Sequence, residues 1–212
     1  MSLLVYGADM NTLTKLLKSL STGKVEQDKI EEIFDKVASE FLTKYIIIAS
    51  QSKYYLTEIE FYYHSNIHPD PYVHRNKRQL KFCNWYFHRF KKIESFLNFS
   101  RNGMDITFGD EENNIYGSIL IRKIKNIKTK EITSGINRVV KKLIKNIENE
   151  ETTLLATGEN VNIFDETQLL YIGLSSETIH IPVNKSTRTG LSKKENLLFK
   201  EYYNKNYHYF TE

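Results

Sequence analysis

The sequence is poor in cysteine, proline and glycine: one cysteine, three prolines and nine scattered glycines occur in 212 residues. A lone Cys83 excludes an internal disulfide and fits a reducing compartment, so we expect a cytoplasmic protein. Pro69 and Pro71 fall in one short segment and keep it out of regular secondary structure. Because the glycines stand singly, the sequence has no glycine-rich phosphate-binding loop.

Long apolar runs are also missing. No stretch approaches the length needed to span a membrane, and the first residues lack the basic region and apolar core of a secretory signal. Hydrophobic residues make up 40% of the chain and charged residues 26%, which is ordinary for a folded domain. We therefore expect no membrane partner, and a monomer as the default state.

Positive charge is present but unevenly distributed, although the net charge is only +4. Residues 122–145 hold nine Lys or Arg against one acid, and residues 75–92 hold seven against none. Two basic clusters indicate a polyanion partner such as DNA or RNA. The 14 tyrosines and 12 phenylalanines could stack on bases. Solvated basic faces and a core rich in aromatic residues remain the alternative interpretation.

Hydrophobic periodicity predicts a mixture of helices and antiparallel strands. Helices are predicted over residues 11–20, 28–41 and 133–147, and strands over 45–49, 54–61, 84–90, 104–108, 116–123, 168–172 and 178–182. This order predicts the α/β (α+β) class, with one compact domain in which helices surround a mostly antiparallel sheet. Residues 1–25 form an unassigned N-terminal extension, and residues 26–212 form the main domain.

Two carboxylates occur in the predicted strand that ends near residue 61. Strand alternation places Glu58 and Glu60 on one face, and Ile59 and Phe61 on the other. A carboxylate that leaves a strand beside Tyr62 is a candidate base for activating water, next to an aromatic clamp.

The following loop contains ligand-type residues at His64, His68, Asp70 and His74. Their spacing would need a helix to converge on a metal ion, and the two prolines forbid one there. We therefore expect no metal and no other cofactor, while a metal-dependent hydrolase stays open as an alternative. Gly-x-Ser-x-Gly is absent, which disfavours a serine hydrolase.

A collinear series of motifs extends from this strand toward the end of the chain. It comprises Ile59-Glu60-Phe61-Tyr62, the Asp70/His74 spacing, Trp85-Tyr86-Phe87-His88, Met104-Asp105-Ile106-Thr107, Leu120-Ile121-Arg122 and Thr187-Arg188-Thr189-Gly190-Leu191. The series resembles the alkyladenine (3-methyladenine, methylpurine) DNA glycosylase family. Members of that family flip a damaged purine out of duplex DNA and hydrolyse its N-glycosidic bond.

The resemblance implies a role for each matched position. The implied catalytic residues are Glu60, whose carboxylate activates the water; Arg122, which supports Glu60 and the water; and His74, which contacts the bound nucleotide. Base binding falls to Tyr62, Tyr86, His88 and Asp105. Candidate contacts with the DNA backbone are Arg75, Lys77 and Arg78 in the basic cluster 75–92, and Arg188 in the last matched motif. A cytoplasmic protein with these contacts would be associated with the nucleoid. The implied substrate is double-stranded DNA with a modified base, an alkylated or deaminated purine, and the product is an abasic site.

The match departs from the family at two base-binding positions. His88 stands where the family has a stacking tyrosine, and Asp105 stands where it has an asparagine near the purine edge. A carboxylate there could accept hydrogen bonds from an exocyclic amine or attract a cationic base, so we expect Asp105 to change the choice of base. Candidates for a wedge that replaces the flipped base are Phe90, Phe96, Leu97 and Phe99.

The sequence thus predicts a monofunctional DNA glycosylase, since no lysine nucleophile for strand cleavage is implied. The alternative is a non-catalytic nucleic-acid-binding module on the same fold.

Overall fold

The structure is a computed structural model that describes residues 3–98, 102–145, 147–157 and 161–211. These ranges contain six α-helices: α1 (Leu3–Ser21), α2 (Ile30–Lys44), α3 (Ile93–Asn98), α4 (Ile136–Ile144), α5 (Asn149–Thr157) and α6 (Leu197–Tyr203). Two short 3₁₀ helices, Gln27–Lys29 and Lys77–Leu80, precede α2 and β3. None of the helices in the described ranges is both long enough and apolar enough to cross a membrane.

Nine strands in the described ranges join in one sheet whose pairings are antiparallel. They are β1 (Tyr45–Ala49), β2 (Ser52–His64), β3 (Phe82–Phe87), β4 (Met104–Phe108), β5 (Tyr116–Asn126), β6 (Ile132–Ser134), β7 (Leu170–Leu174), β8 (Asn184–Ser186) and β9 (His208–Phe210). The main order is β3-β4-β5-β2-β1-β7. Strand β6 adds to β5, and β9 lies between β2 and β8. The α+β class predicted from the sequence is confirmed.

The longest strand, β2, organises the sheet. One edge pairs with β5 from Tyr54 to His64, and the other edge pairs first with β1 and then with β9. An irregularity in register occurs around Glu58, where the pairing with β5 shifts by one residue. Such a bulge changes which side chains face the core. Beyond it Ile59 is fully buried, while Glu58 and Glu60 share the opposite face.

The core lies between one face of the sheet and helices α1 and α2. The Phe34 ring of α2 stacks on the Phe61 ring of β2 with their centroids 4.4 Å apart. Leu13, Leu17 and Leu20 of α1 are fully buried in the same core. The unassigned segment 1–25 therefore contributes a helix to the main hydrophobic core. This packing leaves the other face of β2, β5 and β4 for the site.

Several predicted elements are confirmed, some with different bounds. Strands 45–49 and 104–108 match β1 and β4, and the strand predicted over 54–61 extends in both directions as β2. The helix predicted over 28–41 matches α2, which runs to Lys44. The predicted helix 11–20 begins earlier, at Leu3, and ends at Ser21. The strand predicted over 168–172 is found at Leu170–Leu174.

Other predicted bounds were wrong. The helix predicted over 133–147 covers only Ile136–Ile144. Thr133 belongs to β6 and pairs with Ile124 of β5, and Gly135, with φ 98°, directly precedes the helix. The aromatic strand predicted over 84–90 is Phe82–Phe87, since Arg89 has a left-handed backbone with φ 58°. Residues 178–182 form no strand. The short β8 follows them and pairs with β9.

Candidate active site

A row of four residues crosses the sheet on the face turned away from the core. Glu60 of β2 is paired with Leu120 of β5, Leu120 with Asp105 of β4, and Asp105 with Tyr86 of β3. Directly opposed residues in antiparallel strands share a face, and neighbouring strands lie about 4.8 Å apart. Two carboxylates from residues 45 positions apart in the sequence are therefore placed on one surface, about 10 Å apart at the backbone.

Glu60 is completely buried and accepts four hydrogen bonds. Its Oε1 accepts from the Thr189 backbone N–H at 2.7 Å and from the Thr189 hydroxyl at 3.2 Å. Its Oε2 accepts from the Tyr62 hydroxyl at 3.0 Å and from Arg122 Nη1 at 3.1 Å. A carboxylate has about four acceptor sites, so these donors account for all of them. The arrangement holds the Glu60 carboxylate in one orientation.

Arg122 connects Glu60 to the second carboxylate of the strand. Its Nε donates to Glu58 Oε1 at 3.2 Å. Glu58 also contacts His208 Nε2 at 2.9 Å and Lys123 Nζ at 2.8 Å. These contacts, led by the hydrogen bond with His208, lower the pKa of Glu58 to about 2 against the opposing effect of burial. Arg122 therefore bridges the two carboxylates, with Nε bound to Glu58 and Nη1 bound to Glu60.

The loop after β8 supplies the donors on the other side of Glu60. Gly190 has φ 74°, a left-handed conformation that favours glycine, and it follows Thr189 directly. This turn leaves the Thr189 N–H and hydroxyl directed at one carboxylate oxygen. The motif that contributed to the family resemblance therefore reaches Glu60 across 129 residues of sequence.

A cavity of about 420 Å³ opens above this row of residues. It is lined by Tyr62, Tyr72, His74, Gln79, His88, Arg89, Asp105, Leu120, Arg122, Ile136, Thr189, Gly190, Leu191 and Ser192. Its volume lies in the range of roughly 300–1,000 Å³ typical of small-molecule sites. Glu60 does not reach the wall, but its three bonding partners do. The carboxylate therefore lies directly behind one wall of the cavity.

Tyr62 forms an aromatic surface in this wall. Its ring packs against the guanidinium of Arg188, whose Cζ lies 4.8 Å from the ring centroid. Burial, and then the negative charge of Glu60, raise the pKa of the Tyr62 hydroxyl well above its ordinary value. The hydroxyl therefore stays protonated and acts as a donor to Glu60. Its ring is held rigidly between the cavity and the arginine.

The far end of the cavity is formed by Asp105 and His88. Asp105 Oδ1 lies 2.8 Å from His88 Nε2. The His88 ring packs against Tyr86, with centroids 4.7 Å apart, and edge-on against His74 at 5.3 Å. Gly103 makes room for it, because a Cβ there would lie 2.9 Å from His88 Nδ1. Desolvation, and then the nearby His88, lower the pKa of His74.

The structure brings most of the predicted site residues together and corrects two of the roles. Tyr62, His74, His88, Asp105 and Arg122 all line the cavity, with Glu60 behind them. Tyr86 does not line it but supports His88, and burial followed by Asp105 raises its pKa to about 12. Its predicted contact with the base is therefore replaced by a positioning role.

Arg188 cannot contact a DNA backbone, and that prediction was wrong. Its side chain is fully buried and forms an ion pair with the equally buried Asp70, with Nη1 2.6 Å from Oδ2. It also donates to the backbone carbonyls of Phe61 and Tyr202. An arginine with these partners fixes the loop that precedes Thr189 against β2.

The remaining predicted backbone contacts lie outside the cavity. Arg75 is exposed, and its Nη2 lies 3.4 Å from His64 Nδ1. Lys77 and Arg78 line a second hollow of about 300 Å³, together with Lys81. Arg78 donates to the carbonyl oxygen of Ala156 in α5. The 3₁₀ helix Lys77–Leu80 joins the two hollows, since Gln79 lines the first.

The wedge candidates differ in their exposure. Phe96 is 1% exposed and packs against Phe87 and Phe90 in the core, so neither Phe96 nor Phe90 has the free ring that a wedge requires. Leu97 is 37% exposed. Phe99 lies outside the described residues. Leu97 is therefore the candidate that retains an accessible apolar side chain.

The His/Asp loop does not form a metal site within the described ranges, where no three residues of ligand type cluster. His68 Nδ1 and Nε2 face the Tyr63 carbonyl and the Tyr207 hydroxyl, at 2.9 and 2.8 Å. Asp70 pairs with Arg188, while His74 faces the cavity. The candidate ligands are thus used separately.

Sequence reasoning missed several contributors to the site, among them Arg89, Tyr72 and His208. Arg89 and Tyr72 line the cavity, and His208 binds Glu58 from the last strand. Arg89 belongs to a basic cluster that the sequence shows, but nothing in the sequence indicates the left-handed backbone conformation at this position. His208 could not be found, because β9 is three residues long and lies 150 positions from Glu58.

Comparison with known proteins gives one informative match. No protein-family model matches the chain. It is 34% identical over 186 residues to the "Uncharacterized protein L759" of Acanthamoeba polyphaga mimivirus, a match that covers 82% of this chain and 86% of the viral protein. The similarity extends over most of both chains.

Proposed function

The chain belongs to the same family as the mimivirus protein, and we propose that its function is that of a monofunctional DNA glycosylase. In this proposal it flips a modified purine from duplex DNA into the cavity and hydrolyses the N-glycosidic bond. The observation that carries the proposal is the buried Glu60, held by Arg122, Tyr62 and Thr189 directly behind the wall of a cavity of about 420 Å³.

The chemistry suits a fixed carboxylate. Loss of a purine base develops positive charge on the sugar near its anomeric carbon, which a nearby carboxylate stabilises. Water then adds its oxygen to that carbon as the carbon–nitrogen bond breaks, and the base leaves with the bonding electrons. Glu60 takes the proton of the water, and the departing base is protonated from solvent. The products are a free base and an abasic site.

For water to reach Glu60, one of its four donors must give way. The Thr189 hydroxyl makes a long contact at 3.2 Å and belongs to a residue that lines the cavity. A water molecule can replace it while the Thr189 N–H, Tyr62 and Arg122 keep the carboxylate in place. Arg122 keeps its hydrogen bond to Glu60 Oε2 while the proton is transferred.

The rest of the cavity supports base flipping. Extruding a base costs a few kcal/mol of stacking and pairing, which an aromatic pocket partly offsets. The Tyr62 ring and the imidazole of His88 are both available for stacking in the cavity wall. No lysine occurs among the described residues that line the cavity, which supports hydrolysis without a Schiff base.

One observation favours a second candidate function, nucleic-acid binding without catalysis. All acceptor positions of Glu60 are occupied, and the carboxylate does not itself reach the cavity. A protein that kept the fold and the cationic surface could bind a flipped base and not release it. The two functions differ in whether a base is released.

The deciding experiment uses a panel of duplex oligonucleotides, each with one modified base, followed by alkali to cleave at abasic sites. We expect base release from at least one duplex, and a loss of roughly 10²- to 10⁴-fold in Glu60→Gln with DNA binding retained. Glu58→Gln is the matched control, since it removes the other carboxylate bound to Arg122; its loss should be much smaller. Binding without release from any duplex would select the second candidate.

A further inference from the structure

Asp105 is the one carboxylate among the described residues that line the cavity. It is 1% exposed, so its few accessible atoms face the cavity and not bulk solvent. Its strand lies two strand spacings from that of Glu60, or about 10 Å. Leu120 forms the apolar floor between them. A nucleotide whose sugar approaches Glu60 therefore extends its base across Leu120 toward Asp105.

The carboxylate of Asp105 is only partly satisfied by the protein. Its Oδ1 lies 2.8 Å from His88 Nε2, but this contact lacks hydrogen-bond geometry, and neither atom has a hydrogen-bond partner among the described residues. The Tyr86 ring and the tight fit against Gly103 keep His88 from turning away. The second carboxylate oxygen is therefore available to a ligand. An ionised carboxylate only accepts hydrogen bonds, so the ligand must offer a donor.

From these contacts, and resting on the proposed glycosylase function, we propose that the cavity selects purines that keep a 6-amino group and rejects their 6-oxo, deaminated counterparts. In a purine attached to its sugar, the six-membered ring is farthest from the anomeric carbon and meets Asp105. An amino group there donates to the carboxylate. A carbonyl oxygen at position 6 places two acceptors against each other in a site with little water, which is unfavourable. The adjacent N1–H of a 6-oxo purine can donate to Asp105 only if the base shifts from this position.

An asparagine at the same place would behave differently. Its side chain has nearly the same shape as that of aspartate but carries one acceptor oxygen and one N–H₂ donor. With the oxygen kept beside His88 Nε2, the N–H₂ group faces the purine and can donate to a carbonyl. The substitution Asp105→Asn therefore changes selectivity while preserving the packing of the cavity.

The test measures binding separately from release. Binding is measured with Glu60→Gln protein and two duplexes, one with the stable 3-deaza analogue of 3-methyladenine, which keeps the 6-amino group, and one with hypoxanthine, which is 6-oxo. We expect the amino duplex to be preferred by roughly 10²-fold or more. Adding Asp105→Asn should reduce this ratio at least about tenfold, mainly through tighter binding of hypoxanthine.

The matched control is Asp28→Asn, which removes an exposed carboxylate next to a different hollow and should leave the ratio unchanged. Equal binding of the two duplexes, or an Asp105→Asn ratio equal to that of the parent, overturns the inference. Release of 3-methyladenine from methylated DNA by the wild-type protein is measured in parallel. Selective binding without release in any duplex would reject the glycosylase function while the base selectivity stands.

Discussion

Two glutamates on one face of β2 have different environments, although strand alternation treats them alike. Glu60 is fully buried and bound by groups that line the cavity, whereas the Glu58 side chain is 13% exposed and bound by His208 and Lys123. Arg122 contacts both. An arginine held by two carboxylates has less freedom than one held by a single partner. Glu58 therefore positions Arg122, and Arg122 positions Glu60.

This arrangement makes the stability contributed by Glu58 dependent on acid. The pKa of Glu58 in the folded chain is about 2, below its ordinary value of 4.5. A lowered folded-state pKa gives stability that is fully present above about pH 4.5 and is lost as the pH falls toward about 2. We therefore expect the difference in unfolding free energy between wild type and Glu58→Gln to be constant above pH 5 and to shrink below it, measured by urea denaturation.

His208→Gln gives the matched comparison, because the hydrogen bond from His208 is the largest cause of the lowered pKa of Glu58. That variant should lose most of the same acid-dependent difference. The double variant should add little, since the two residues are in direct contact at 2.9 Å. An unchanged acid profile in both single variants would contradict the lowered pKa of Glu58 and its origin in the contact with His208.

At this scale the sequence predicted the placement of side chains along a strand better than their burial. Alternation put Glu58 and Glu60 on one face, and this is confirmed. Arg188 was predicted to contact the DNA backbone, which requires an exposed side chain, but arginine can be buried when it is paired. Its partner, Asp70, lies 118 positions earlier, and only the folded chain brings them together. Long-range ion pairs of this kind have no local signal in the sequence.

Among the elements, the loop of residues 187–192 has the greatest effect on the site. It carries Thr189 to Glu60, is anchored by the buried Arg188, and turns at Gly190 with φ 74°. It follows a three-residue strand, β8, which is too short to show alternation. For that reason β8 was not predicted from the sequence, and a strand was predicted at 178–182 instead.

Gly190→Ala tests whether the conformation of this loop matters. A Cβ at position 190 meets no atom within 4 Å, so the cost comes from the backbone alone and should be about 1 kcal/mol of unfolding free energy. Because Thr189 adjoins the strained residue, we expect base release to fall as its hydrogen bonds to Glu60 loosen. Stability is measured by thermal unfolding and release by single-turnover assay.

Gly190→Asn is the control for this experiment. Asparagine adopts left-handed conformations more readily than alanine does, so it should restore part of both the stability and the activity. If both variants release base as fast as wild type, the loop conformation does not contribute to the site.

At the scale of the whole molecule, the two faces of the sheet have different roles. The face that packs against α1 and α2 forms the core, and the opposite face of β2, β5 and β4 holds the cavity. The sequence predicted this division, because periodic apolar residues mark α2 and the strands. It did not place α1 in the core, since the pattern before residue 11 is weak. Helix α4 was bounded incorrectly because β6 precedes it.

The net charge of +4 is small, so under the proposed function the position of the cations must decide where DNA would lie. Lys77, Arg78 and Lys81 line the hollow next to the cavity, and Gln79 on the same short helix lines the cavity itself. A DNA backbone that crosses this hollow would bring a flipped nucleotide to the cavity. Each phosphate contact releases condensed counterions, which makes binding depend on salt.

Lys77→Ala should therefore weaken binding of all duplexes alike and reduce the slope of log K against log salt concentration by about 1. Lys36→Ala is the matched control, because Lys36 is an exposed lysine on α2, the helix that covers the opposite face of the sheet, and pairs there with Glu32. It removes the same charge and should leave the slope unchanged.

Fluorescence anisotropy at several salt concentrations measures both variants. Equal changes in the two would mean that the whole surface attracts DNA without a defined path. A change confined to Lys77→Ala would place the backbone beside the cavity, because only a local phosphate contact alters the slope for one lysine and spares the other.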